Sequence, residues 1–121
     1  MDWHTITDPV ENDAIKFENE SMDRIELIPE ILPRYRSTYF NHIFSGGYSS
    51  GYYSYIWAEV LDADAFNAFI QTGDVYNKDF AEKYRKYILA SGGTDDSMEL
   101  YKRFRGQDPE INPLLKRRGL N

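Results

Sequence analysis

The chain has 121 residues, a net charge of −6 and no cysteine. That length suits one domain of ordinary size, and a disulfide framework is excluded, in keeping with a reducing compartment. Residues 1–30 hold nine acids against Lys16 and Arg24, a balance of −7 that leaves +1 for the remainder. No basic face dominates, so nucleic-acid binding has no support, and the acidic run reads as a solvated helix face. No apolar run approaches the roughly 18 residues of a membrane-spanning helix. With no signal-peptide pattern either, a cytoplasmic protein without a membrane partner is the expectation.

The predicted elements are helical almost throughout, and the fold class is all-α. Trp3 to Thr7 reads as a short extended lead-in. Asp8-Pro9-Val10-Glu11 then has the form of an N-cap, a proline at the first helical position and an acid at the third. A first helix is expected to start there, with Val10, Ala14 and Phe17 as its apolar stripe and its end near Ser21. Pro29 and Pro33 bracket a linker, because each ring removes a donor and disfavours helix at the residue before it. A short helix is expected from about Ser37 to Phe44, broken at Ser45-Gly46-Gly47. A long helix follows, from Tyr48 or Ser49 to about Thr72. On it Tyr48, Tyr52 and Tyr55, spaced four and three, would line one face with phenols, while Tyr53, Ile56, Trp57, Val60 and Ala63 would face a core. Gly73 ends that helix. Asn77 caps the next, which carries Phe80, Tyr84, Tyr87 and Ile88 on one side and stops at Gly92-Gly93. Asp95 or Asp96 caps a third, bearing Leu100, Tyr101 and Phe104 and closed by Gly106. Asp108-Pro109 and Asn112-Pro113 predict two short helical turns in the tail.

The stretch from Phe40 to Trp57 places one histidine, three glycines and four tyrosines within eighteen residues, a composition suited to binding more than to a core. Taken singly, each feature has a plain reading. A histidine beside aromatic residues is commonly a satisfied, half-buried polar group, a glycine pair is commonly a loop, and tyrosines pack in cores with their hydroxyls at the surface. Their joint spacing carries the information. The run His42-Ile43-Phe44-Ser45-Gly46-Gly47-Tyr48-Ser49-Ser50-Gly51-Tyr52-Tyr53-Ser54-Tyr55 resembles, without a gap, the His-x-x-x-Gly-Gly-Tyr-x-x-x-Tyr-Tyr-x-Tyr signature of the thimet-oligopeptidase-like zinc metallopeptidases. The similarity continues through residues 57–61, 88–93 and 98–106 to the closing 114–121, which coincides with the family's C-terminus. Residues 33–40 look most like the peptidyl-dipeptidase (Dcp) branch.

The resemblance implies that residues 1–121 form a single helical fragment, the C-terminal portion of a zincin-like, clam-shaped catalytic domain, with His42 to Tyr55 on the channel wall that faces the zinc. It implies Tyr55 and His42 as catalytic residues, with Tyr55 stabilising the oxyanion. Tyr48 joins His42 in binding the substrate backbone, Tyr52 supports them, and Gly46 and Gly47 form a mobile substrate-binding segment. The chemistry is reasonable, since a phenol with an ordinary pKa near 10 stays protonated at neutral pH and can donate to a carbonyl oxygen that gains charge. The family's His-Glu-x-x-His zinc helix is missing, because His4 and His42 are the only histidines and neither sits in that frame. His4 reads as structural. No metal ligand is therefore expected here. Zinc would belong to the complete enzyme, and the partners would be a peptide substrate and the missing N-terminal part.

The chain alone is expected to be inactive. Release of C-terminal dipeptides would need a grip on the free carboxylate, for which an arginine fork is suited. Arg34 and Arg36 are the candidates, set against the plainer reading that they are solvated or paired with acids such as Glu30. The alternative function is a noncatalytic helical peptide-binding or interaction module derived from such an enzyme.

Overall fold

The computed structural model describes residues 1–10 and 13–120, and among them the regular structure is helical, with no strand. Contacts divide the chain into two compact units, Met1–Tyr53 and Ser54–Asn121.

The first unit opens with a 3-10 turn at Asp2–His4, where an extended lead-in was expected. Both the amide and the hydroxyl of Thr5 donate to the Asp2 carbonyl and close it. Helix α1 spans Ala14–Arg24 and starts later than the Asp8-Pro9 pattern implied. Asp13 is the cap instead, its side chain accepting from the Lys16 amide at 2.8 Å; Glu11, the expected acid at the third position, lies outside the described residues. No helix crosses Pro29–Pro33, as the two rings require. The helix expected from Ser37 to Phe44 is reduced to a 3-10 turn at Asn41–Ile43. The Ser37 amide donates to the Glu18 side chain. Trp3 gathers this unit. Its ring lies 4.2 Å from Phe17 and 5.9 Å from Phe44, and its indole N–H donates to Ser37 Oγ at 2.9 Å.

In the second unit, α2 spans Ser54–Gln71, several residues after its expected start. Gly51 and the serines before it are poor helix formers, so only a 3-10 turn at Ser49–Gly51 precedes α2. Gly73 ends α2 with φ +80°. Asn77 caps α3, Lys78–Tyr84, by accepting from the Phe80 amide at 2.9 Å. The chain then widens into a π-turn, Arg85–Leu89, closed by the Ala90 amide on the Arg85 carbonyl. Asp96 caps α4, Ser97–Arg105, and Gly106 closes it at φ +85°. The tail holds one helix, α5, Asn112–Arg117, where two turns were expected. The Asp108 carboxylate pairs instead with Lys102 Nζ at 2.8 Å.

Phe104, 1% exposed, is the centre of this unit. The rings of Phe80, Tyr84, Tyr101 and Phe69 lie 5.0, 5.2, 5.9 and 6.3 Å from it. Leu114 of α5 packs with Val60 and Ala63 of α2, and Arg117 and Arg118 pair with Asp62 and Glu59 beside that contact. The stripe expected to face a core is thus divided. Val60 and Ala63 are buried, whereas Tyr53, Ile56 and Trp57 stay largely exposed. Inside the apolar centre lies Asp64, with 0% exposure. It accepts from the Tyr101 hydroxyl at 2.7 Å and from Arg105 Nε and a terminal guanidinium nitrogen at 3.0 and 3.2 Å. Burial first, and then the Asp64 carboxylate, push the Tyr101 phenol well above its ordinary range.

Candidate functional site

The signature folds into an aromatic cluster around His42. The 3-10 turn that carries His42 is closed by the Phe44 and Ser45 amides, which both donate to the Asn41 carbonyl. Gly46 follows at φ +78°, a conformation that side-chain-bearing residues rarely adopt, and no atom lies within 4 Å of where its Cβ would be. The requirement for glycine at 46 is therefore conformational and not spatial. Gly47 takes no positive φ. Beyond the turn the chain returns Tyr48 to within 5.8 Å of the imidazole and Tyr52 to within 5.7 Å, centroid to centroid. Tyr48 and Tyr52 meet edge-on at 5.4 Å. Phe40 at 5.9 Å and Tyr35 at 6.0 Å also neighbour the imidazole, and they stack on each other at 5.0 Å.

Edge-to-face and stacked arrangements of this kind fix ring orientation beyond what burial alone supplies. Flat apolar ring bodies with imidazole and phenol groups at their edges can pack against a peptide and hydrogen-bond its backbone.

The expectation that Tyr48, Tyr52 and Tyr55 share one helical face is corrected. Tyr48 precedes the 3-10 turn and Tyr52 follows it, ahead of α2, because Gly51 delays the helix. Tyr48 and Tyr52 meet through a turn. Tyr55 stands in the first turn of α2, in the second unit, and is 53% exposed.

The two arginines differ. The Arg34 guanidinium lies over the Tyr35 ring, 5.5 Å from its centroid. Arg36 donates through Nε to Glu18 Oε1, while the Ser37 amide donates to Glu18 Oε2 at 2.6 Å. The acid that Arg36 meets is thus Glu18 of α1 and not the nearby Glu30. Glu18 also departs from the solvated acidic face expected of this segment, being 4% exposed. Burial raises its carboxyl, but the Ser37 amide and Arg36 outweigh that and hold it below the usual glutamate value. Sequence reasoning missed Glu18, Tyr35 and Phe40 as neighbours of the site. A signal for Glu18 existed, since it follows Ala14 of the expected apolar stripe by four residues and so lies on the same face as Ala14.

Among the described residues no three His, Cys, Asp or Glu side chains come together to hold a metal ion. The zinc implied by the resemblance therefore does not fit the described groups, whose side chains offer a substrate donors, acceptors and packing surfaces. Among the described residues no helix is long and apolar enough to cross a membrane.

The model of peptidase family M3 matches residues 1–120. The chain is 39% identical over 123 residues to dipeptidyl carboxypeptidase of Salmonella typhimurium and 40% identical over 130 residues to that of Escherichia coli. Each comparison covers all of this chain and 18% of the relative. Oligopeptidase A of Escherichia coli is 46% identical over 81 residues, covering 67% of this chain and 12% of that protein. The chain thus spans less than a fifth of the length of these relatives.

Proposed function

Because this chain belongs to peptidase family M3, we propose that it supplies the substrate-side donors of a peptide-hydrolysing site. In this reading His42 and Tyr48 hydrogen-bond the substrate backbone beside the scissile bond, Tyr52 braces both rings, and the Gly46-Gly47 turn admits the peptide. Tyr55 donates its phenol to the carbonyl oxygen as water adds and negative charge develops there; a donor aimed at that charge lowers the barrier more than it strengthens ground-state binding. The observation that carries the reading is the convergence of His42, Tyr48 and Tyr52 within 5.8 Å of one another. The names of the relatives, dipeptidyl carboxypeptidase and oligopeptidase A, support peptides as substrates, and the whole-length match to the former favours release of C-terminal dipeptides. Arg34 is the better placed arginine for the terminal carboxylate, since it lies on the Tyr35 ring beside His42 whereas Arg36 is engaged by Glu18. The remaining machinery, including any zinc ligands, lies outside this chain.

The test uses a complete peptidase that contains this segment. Tyr55→Phe is expected to leave folding intact and lower kcat by about 10² to 10³. A rise in KM alone would make Tyr55 a ground-state binder and overturn the assignment. In the same enzyme Arg34→Ala is expected to slow cleavage of free-acid peptides far more than of their C-terminal amides, and equal losses on both would remove Arg34 from carboxylate recognition.

A further inference from the structure

We propose that Glu18 is a positioning residue for His42, its buried carboxylate clamping Arg36 and Ser37 onto α1 and so fixing the ring bed on which the imidazole lies. The catalytic consequence rests on the reading of His42 as a substrate-binding group. The clamp itself is a separate claim about geometry.

The two oxygens of Glu18 take different donors, Arg36 Nε and the Ser37 amide, 18 and 19 residues further on. Binding one side chain and the adjacent backbone pins two consecutive residues, which a lone surface ion pair does not do. The pinned residues belong to a segment with no helix of its own. Its order must therefore come from such bonds. From the clamp, order passes to the site by two routes. Tyr35, the preceding residue, stacks on Phe40 and lies beside His42. The Arg36 carbonyl accepts from the Tyr39 and Phe40 amides, both at 3.0 Å, which sets the Phe40 ring against His42 and, edge-on at 4.8 Å, against Tyr52. The Ser37 hydroxyl also takes the Trp3 indole N–H, a further bond on the clamped segment. Donors held in this way meet a substrate without first being ordered, and a misplacement of about 1 Å can cost on the order of 10² in rate.

The experiment has two arms. In the 121-residue chain, the aromatic neighbours of His42 are expected to impose ring-current shifts on its ring-proton resonances. Glu18→Gln keeps the shape and removes the charge; it is expected to move those resonances most of the way to free-histidine positions while the α1 amide signals stay dispersed. Unmoved His42 signals in a folded Glu18→Gln chain overturn the proposal. If that variant loses the α1 signals, Arg36→Met, which keeps the Ser37 bond, gives the same displacement to a smaller degree, and unmoved signals there overturn it equally. In a complete peptidase carrying this segment, Glu18→Gln is expected to lower kcat about tenfold to a hundredfold with KM within about twofold. The double variant with Arg36→Met is expected to lose little more, because both partners belong to one clamp. Displaced His42 signals with unchanged kcat and KM would uphold the clamp and remove His42 from the catalytic reading.

Discussion

Asp64 illustrates how one buried charge constrains its neighbours. Its carboxylate is closed off from solvent and satisfied by Tyr101 and Arg105, the latter only 8% exposed. Removing one partner of a buried pair strands the other, at about 3–5 kcal/mol. Asp64→Ala is therefore expected to lower the stability of the second unit by about that amount in denaturant unfolding. Tyr101→Phe, which leaves the ion pair in place, is expected to cost only about 1–2 kcal/mol. Glu18 makes a prediction against pH. A carboxyl held below its ordinary value in the folded state stabilises fully above that value, about 4.3 for glutamate, and its contribution is lost as the pH falls through the depressed value. Asp2 is held low as well, by Ser21 and then Arg24, and titrates in the same acid window. The stability of the first unit in denaturant unfolding is thus expected to fall as the pH drops through that acid window. In Glu18→Gln the Glu18 part of that transition is expected to be absent, leaving the Asp2 part.

At the scale of elements, Gly46 carries the sharpest prediction. Alanine at φ +78° costs about 1–2 kcal/mol through backbone strain alone, since nothing crowds its Cβ. Gly46→Ala is expected to destabilise the first unit by that amount in denaturant unfolding and Gly47→Ala by much less. What the sequence made legible follows from how local each cause is. Asn77, Asp96, Gly73 and Gly106 were readable as caps and stops because a cap is a bond between a side chain and a backbone group two or three residues away. The faces of α3 and α4 were readable for a similar reason, and Phe80, Tyr84, Tyr87 and Ile88 do pack on the Tyr101 and Phe104 cluster. The starts of α1 and α2 were not, because two capping patterns competed at the first and Gly51 interrupted the apolar periodicity at the second. Within the candidate site, the proximity of Tyr48 and Tyr52 was legible from spacing, though by way of a helix that does not form there, whereas that of His42 rested on the resemblance alone. The bonds from Glu18 to Arg36 and Ser37 and from Asp64 to Arg105 were not legible, since they join residues 18 to 41 positions apart and leave no periodic trace.

For the molecule as a whole, the buried set is small and the exposed apolar set is large. On α2 alone Tyr55, Ile56, Phe66 and Ile70 remain more than half exposed, and in the first unit Ile28, Ile31 and Leu32 do. With two histidines in the sequence and no His-Glu-x-x-His frame, the chain by itself is expected to hold no stoichiometric zinc and to cleave no peptide. Metal analysis of the purified chain coupled to a cleavage assay checks this; one tightly held zinc per chain with chelator-sensitive activity would overturn it. The two tryptophans have a practical consequence. Trp3 belongs to the first unit, with its indole bonded to Ser37, and Trp57 belongs to the second, partly open to water on α2. Each unit therefore carries its own intrinsic fluorophore. With excitation at the red edge of absorption, where the ten tyrosines do not absorb, Trp57→Phe emits from Trp3 and Trp3→Phe from Trp57, so the denaturation of either unit can be followed optically without an added label.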